Sequence, residues 1–323
     1  MKIREIIKRL KTWPSFFWFV FFNKNKNKNK NIKNIKYVWN KSIAMSCDIY
    51  PVYYPKQIFL RSIIGKPFQY LTYKNISKDK PRRIYVSLDF MDYFIKKFLQ
   101  KIKWNFVLVT GDSDLPTSKF KGLLKNKYLE HWFAQNNDLN NKKISSIPLG
   151  IDYHALFTTN FFGEEKQSPK KQEKILRSVS TKSKNKKLKI FANFQLNITS
   201  KRREELYRLL RDNPNIFWQE SKMSRTKMWE EQSKYVFNFS PIGAGLDCHR
   251  TWESLILGQI PIVEKTNTPL DNLHKQFPIV IINDVSEITK KNLKRWYKKY
   301  SKKFTPEMEK KLTNKYWINK IKS

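Results

Sequence analysis

Residues Ser240 to Val263 read SPIGAGLDCHRTWESLILGQIPIV, and the order of residue types in this stretch decides the fold. It closes an apolar run, Tyr235-Val-Phe-Asn-Phe-Ser240, that predicts a buried strand. Pro241-Ile-Gly-Ala-Gly245 then supplies a loop, Asp247 to Leu257 a helix, Gly258 its stop, and Ile260-Pro-Ile-Val263 another strand. Strand, glycine loop, helix and strand in succession imply a parallel sheet with covering helices. In an open sheet of that kind ligands bind beyond the carboxyl ends of the strands. Gly243 and Gly245 allow a tight turn and close backbone approach, and the free N–H groups of the next helix favour negative charge.

Two charged side chains ride on that helix. Arg250, in the first turn, can set a delocalised fork against a diphosphate. Glu253 follows one turn later on the same face and can accept hydrogen bonds from ribose hydroxyls. A plain helical ion pair and an ordinary glycine turn are the competing readings. Cys248 beside His249 makes a poor zinc pair without a second pair of ligands, and a nucleophilic Cys248 has no identifiable His/Asp partner.

The same alternation extends outward. Arg83 to Leu88, Asn105 to Thr110 and Lys143 to Leu149 predict three short strands, and Phe90 to Trp104 carries apolar residues close to helical spacing. Beyond them come a strand Leu188 to Phe194, a helix Arg202 to Leu210, a strand Asn215 to Gln219, a helix Ser224 to Ser233 and a strand Phe277 to Ile282. The Lys-rich remainder reads as surface helix. The class is α/β, as two Rossmann-like domains facing each other across a cleft. Residues 37–160 form the first domain, 161–187 a linker and 188–323 the second, while 1–36 form a basic low-complexity tail. That tail holds nine Lys, two Arg and one Glu, and its Asn/Lys tract cannot pack.

The 323 residues carry 65 Lys and Arg against 27 Asp and Glu, a net of +38, which makes polyanions the first partners to weigh. Lys outnumbers Arg 52 to 13, although Arg is the usual choice for bidentate phosphate and base contacts. Residues 235–264 carry a net of −2, so the positive charge avoids the best site, which argues against a phosphate-backbone groove there. With two cysteines no disulfide framework is indicated. Trp13 to Phe22 (WPSFFWFVFF) is too short to span a bilayer and suits peripheral membrane contact. A cytoplasmic or membrane-peripheral location is favoured, with a secretory-pathway anchor as the alternative. The sequons at Asn75, Asn197 and Asn238 would matter in a secretory protein, but Asn238 falls inside a predicted core strand.

The 240–263 segment resembles the signature of the exostosin-like glycosyltransferases: a Ser-Pro-x-Gly-x-Gly loop, an Arg and a Glu on the next helix, then Gly-x-Ile-Pro-Ile-Val. Further blocks match in order: Gly111-Asp-Ser-Asp114, His131 to Asn136 (HWFAQN), Ile147 to His154 (IPLGIDYH), and Pro269 to Leu273 with Phe277 to Asp284. Together they cover roughly residues 105 to 290. The resemblance implies a GT-B fold, with a nucleoside-diphosphate sugar held by the C-terminal domain and a glycan or glycoconjugate acceptor by the N-terminal one. It places Arg250 at the donor diphosphate, Glu253 at the ribose, and Ser240, Gly243, Gly245 and His249 around the donor. It implies an inverting transfer with no obligatory metal or cofactor. Ile242 stands where a basic residue is common in such loops, so phosphate stabilisation leans on Arg250 and helix N–H groups.

Glycosyl transfer also needs a group to take the acceptor proton. Asp112 and Asp114 are the candidates, with a loop-capping pair as the plainer reading. His131, Asn136 and His154 are further acceptor-side candidates; a packed structural role is the alternative for His131, and simple capping for Asn136. Two other functions compete with the enzyme. A basic nucleic-acid-binding protein would gather Arg and aromatics on one face, whereas here Lys is spread over tail, linker and C-terminus. A catalytically inactive nucleotide-sugar-binding protein would keep the donor loop without turnover.

Overall fold

A computed structural model describes residues 35–51, 69–158, 160, 163–182, 185–196 and 201–323. The apolar stretch Trp13 to Phe22, the Asn/Lys tract and the sequon at Asn197 lie outside the described residues. The chain is α/β with two all-parallel sheets. In the first, β1 (Arg83–Ser87), β2 (Phe106–Gly111), β3 (Leu129–Ala134) and β4 (Ile144–Ser146) lie side by side in chain order. In the second, β5 (Lys187–Ala192), β6 (Ile216–Trp218), β7 (Tyr235–Phe239), β8 (Ile260–Glu264) and β9 (Val280–Ile282) take the order β6-β5-β7-β8-β9.

Continuous apolar runs suit these strands because helices cover parallel sheets on both faces. All six residues of β2 and all five of β7 are buried. Asn238 in β7 is inaccessible and donates to Gln232 Oε1, as a core strand position requires. β3 is the strand that periodicity did not reveal, since exposed Glu130 and half-buried His131 interrupt its apolar residues. The helix expected over Phe90 to Trp104 is shorter: α1 (Met91–Lys97), flanked by single 3-10 turns.

The expected linker 161–187 contains a full helix, α2 (Pro169–Lys182), whose Leu176 is fully buried. In the second unit α3 (Arg202–Leu210), α4 (Arg225–Gln232) and α5 (His249–Ile256) follow β5, β6 and β7. The Ser224 hydroxyl caps α4 by accepting from Lys227 N, satisfying one of the four unpaired N–H groups at its start. The first and last described segments cross over. The expected tail 1–36 gives way to packed chain by Ile35, which is buried, and Lys36, whose N–H donates to Glu173 Oε2 at 2.9 Å. The last helix, α6 (Asn314–Lys322), was expected within the 188–323 unit, yet it packs on the helix Asn40–Ala44 ahead of the first sheet. Asn314 fixes it there, donating to Ile35 O and Tyr37 O and accepting from Trp39 N. Trp317 and Ile321 are the buried apolar residues of α6, and they share a cluster with Trp39, Ile43 and Ala44 across the domain boundary drawn from sequence.

Each sheet has its own apolar cluster, around Phe94, Leu108 and Trp132 in one and Leu206, Phe237 and Ile262 in the other. A third cluster, with Trp39, Tyr153, Leu176, Trp252 and Trp317, runs between them.

Candidate functional site

The second sheet grows from β5 in both directions, to β6 on one side and β7 on the other, so the strand order reverses there. Such a reversal opens a crevice between the loops that leave the two neighbouring strands, because those loops cross to opposite faces. A cavity of about 250 Å³ occupies that place. Asn193 and Gln195 line it from the loop after β5, and Cys248, His249, Arg250 and Glu253 line it from the chain after β7. Asp152 reaches it from the first unit, and Arg203, Arg225 and Trp229 from α3 and α4.

The loop between β7 and α5 is held by side chains from elsewhere. Ser240 Oγ bonds Thr251 Oγ1 at 2.8 Å, tying the strand end to α5. Arg203 donates through Nε to Ile242 O at 2.9 Å and through Nη2 to Pro241 O at 3.3 Å, and burial lowers its guanidinium pKa. Gly243 lies under that guanidinium, where an added Cβ would sit 3.1 Å from Nη2. Gly245 lies against Asn136, where a Cβ would sit 2.8 Å from Nδ2. A side chain there would displace the Asn136 amide, so the motif's second glycine makes room for that amide. Asn136, itself at φ +51, donates to Ser113 O at 2.8 Å and accepts from Asp247 N at 2.9 Å. One amide thus joins the loop carrying Asp112 and Asp114 to the loop carrying the glycines.

Asp247 is the hub that sequence reasoning passed over. Its side chain is fully buried and accepts from Leu149 N, Trp252 Nε1 and Cys248 N, each at 2.8 Å. His249 Nδ1 lies 2.6 Å from Gly150 O, which makes that nitrogen the protonated one. A second link is the Arg225–Asp152 ion pair, at 2.9 Å between Nη2 and Oδ2. Burial alone would raise the Asp152 carboxyl, but Arg225, with His249 nearby, holds it well below the usual carboxylate range. Burial pulls the partner guanidinium down, but Asp152 together with Glu253 and Glu164 lifts it, so its pKa rises.

Within the cavity Glu253, only 9% exposed, accepts from Trp229 Nε1 through Oε2 at 3.1 Å, while its Oε1 has no hydrogen-bond partner. A buried carboxylate oxygen without a donor is costly, and such groups call for an explanation. Arg250 is half-buried at the cavity wall, its Nη1 3.8 Å from Cys248 Sγ. The competing reading, an Arg250–Glu253 ion pair, is absent from the ion pairs among the described residues, and both side chains line the cavity.

The remaining candidates lie apart from this cavity. Asp112 follows β2 at φ +56, its Oδ1 accepting from Asn40 Nδ2 at 2.8 Å and its N–H donating to Gln135 Oε1 at 3.1 Å. Asp114 is exposed two residues later. His131 Nε2 sits 2.9 Å from Ser145 Oγ with its ring on Phe133, and burial, aided by Lys320 of α6, lowers its pKa. His154 is half-buried at the start of the helix His154–Thr158. No group of three His, Cys, Asp or Glu side chains is placed to hold a metal ion among the described residues. Arg203 and Arg225 gave no sequence signal, because they lie on other helices. Asp152 lay inside the Ile147–His154 block but was not singled out. Comparison with known proteins returns no matching family model and no matching curated protein.

Proposed function

We propose that the chain is a glycosyltransferase of the exostosin-like, GT-B kind, with the donor's nucleoside diphosphate in the cavity beyond β5 and β7. The observation that carries this reading is the unpartnered, buried Oε1 of Glu253, set one helical turn from Arg250 at the start of α5. That oxygen is free to accept from a donor placed in the cavity, and a ribose hydroxyl supplies one. Arg250 meets the diphosphate as a charge-assisted donor, and the free N–H groups of α5 add partial positive charge where the leaving group gains negative charge. Arg203, bonded to the loop carbonyls behind it, offers the positive charge that Ile242 does not.

In this reading a hydroxyl of a glycan or glycoconjugate attacks the sugar carbon, the bond to the diphosphate breaks, and the acceptor proton passes to a base. Asp112 and Asp114 are proposed for that role because their loop is one Asn136 amide away from the donor loop. The test is a panel of nucleoside diphosphates and nucleotide sugars, followed by thermal shift and by released nucleoside diphosphate. Arg250→Ala is expected to weaken binding tenfold to a hundredfold, about 1.5–3 kcal/mol, with the melting transition retained. Unchanged binding removes Arg250 from the site. Asp112→Asn or Asp114→Asn is expected to lower turnover at unchanged donor affinity, and full activity in both rejects them.

A further inference from the structure

A larger cavity, of about 550 Å³, opens at the opposite, amino-terminal edge of the second sheet. Part of its wall is apolar, with Leu188, Val236 and Ile260 near the starts of β5, β7 and β8, Leu255 from the end of α5, and Phe304 and Met308 from the chain beyond β9; Ser180, Tyr297, Ser301 and Glu309 line the rest. Lys186 lines the same space, half-buried. Its ammonium donates to Leu257 O at 2.7 Å and to Ser233 O at 2.9 Å. An ammonium has three N–H donors, so two are used, and both on neutral carbonyls. Among the described residues no carboxylate pairs with Lys186, and Glu309, which also lines the cavity, lies 3.8 Å from Lys36. The charge is poorly compensated: burial lowers the Lys186 pKa to about 8.

A partly desolvated cation beside an apolar wall is best matched by an anion that carries an apolar body. We propose that this cavity binds an amphipathic carboxylate, its charged end on the Lys186 ammonium and its chain along Leu188, Val236, Leu255 and Ile260. A sugar phosphate would satisfy the charge but would press hydroxyl groups against Leu188, Val236, Leu255 and Ile260. The inference does not rest on the donor reading, since the two cavities share no lining residue.

Titration calorimetry of the full chain with decanoate tests it. Decanoate is expected to bind, and decanol, with the same chain and no charge, to bind at least tenfold more weakly. Lys186→Gln keeps N–H donors for Leu257 O and Ser233 O but removes the charge, and it too is expected to lose at least tenfold. If Lys186 only clips those carbonyls, decanoate gives no heat, and the proposal falls. It falls equally if decanol, or the Gln variant with decanoate, binds as well as the wild type binds decanoate. The decanol comparison uses the unaltered protein, so a Gln variant that fails to fold leaves the proposal open to refutation.

Discussion

The two cavities of the second unit lie at opposite ends of α5, and they are built from different chemistry. At its start, Arg203, Arg225, Arg250, Asp152 and Glu253 crowd 250 Å³; at its end, Lys186 and Glu309 are the charged residues lining 550 Å³ whose wall is partly apolar. The difference follows from the helix itself. Its first turn presents unpaired N–H groups and its last presents unpaired carbonyls. At the end, Lys186 donates to Leu257 O and Ser180 Oγ to Ile256 O at 2.7 Å, so both side chains help to close the helix. Gly258, at φ +65, ends it in the left-handed region that favours glycine. At the start, Glu253 Oε1 is left without a hydrogen-bond partner.

The polar end of α5 depends most on Asp247. Asp247→Ala strands three donors around the start of α5 and is expected to destabilise the protein by about 3–5 kcal/mol, read by urea unfolding. A midpoint close to wild type would mean that the polar end is not held by this carboxylate. Asp152→Asn comes next, at about 2–3 kcal/mol near neutral pH, because Arg225 loses its charged partner. The sign of its pH dependence is fixed by a carboxyl depressed in the folded state. The wild-type advantage is fully present above the unfolded value, about 3.9, and shrinks as pH falls below about 4 toward the folded value. An advantage that stays constant down that range would deny the ion pair its role.

Gly245→Ala forces a Cβ against Asn136 and is expected to remove about 1–3 kcal/mol, with earlier proteolysis between the two units. Retained stability would show that the units tolerate separation at this point. The smallest effect is also the sharpest. Glu253→Gln leaves the chain nearly as stable but puts an amide where an acceptor was, so nucleotide-sugar affinity is expected to fall about tenfold, 1.4 kcal/mol. Decanoate binding should not change, and a parallel loss of both ligands would show that the ends of α5 are not independent.

Much of the second unit was legible because local patterns carried it. The helix Arg202–Leu210 and the strand–loop–helix–strand order around Ser240 are written in apolar period and glycine placement. β3 was not legible, since Glu130 and His131 interrupt it and only pairing with β2 and β4 makes it a strand. For the candidate site, Arg250 and Glu253 were within reach because they share one helix face. Asn136 was named, but its role as the bridge between Ser113 and Asp247 depends on two loops more than a hundred residues apart.

Residue order alone was enough for an α/β chain with a glycine loop and a helix start near Ser240. Those features are local: a period of apolar residues, a turn that needs glycine, and a helix start. Only the tertiary structure decided that Arg203 backs the loop, that Arg225 pairs with Asp152, and that the last helix returns to the first unit. A guanidinium or an apolar helix face can be satisfied by many partners. Which one it takes is fixed only when the sheets have formed and the alternatives are buried or out of reach.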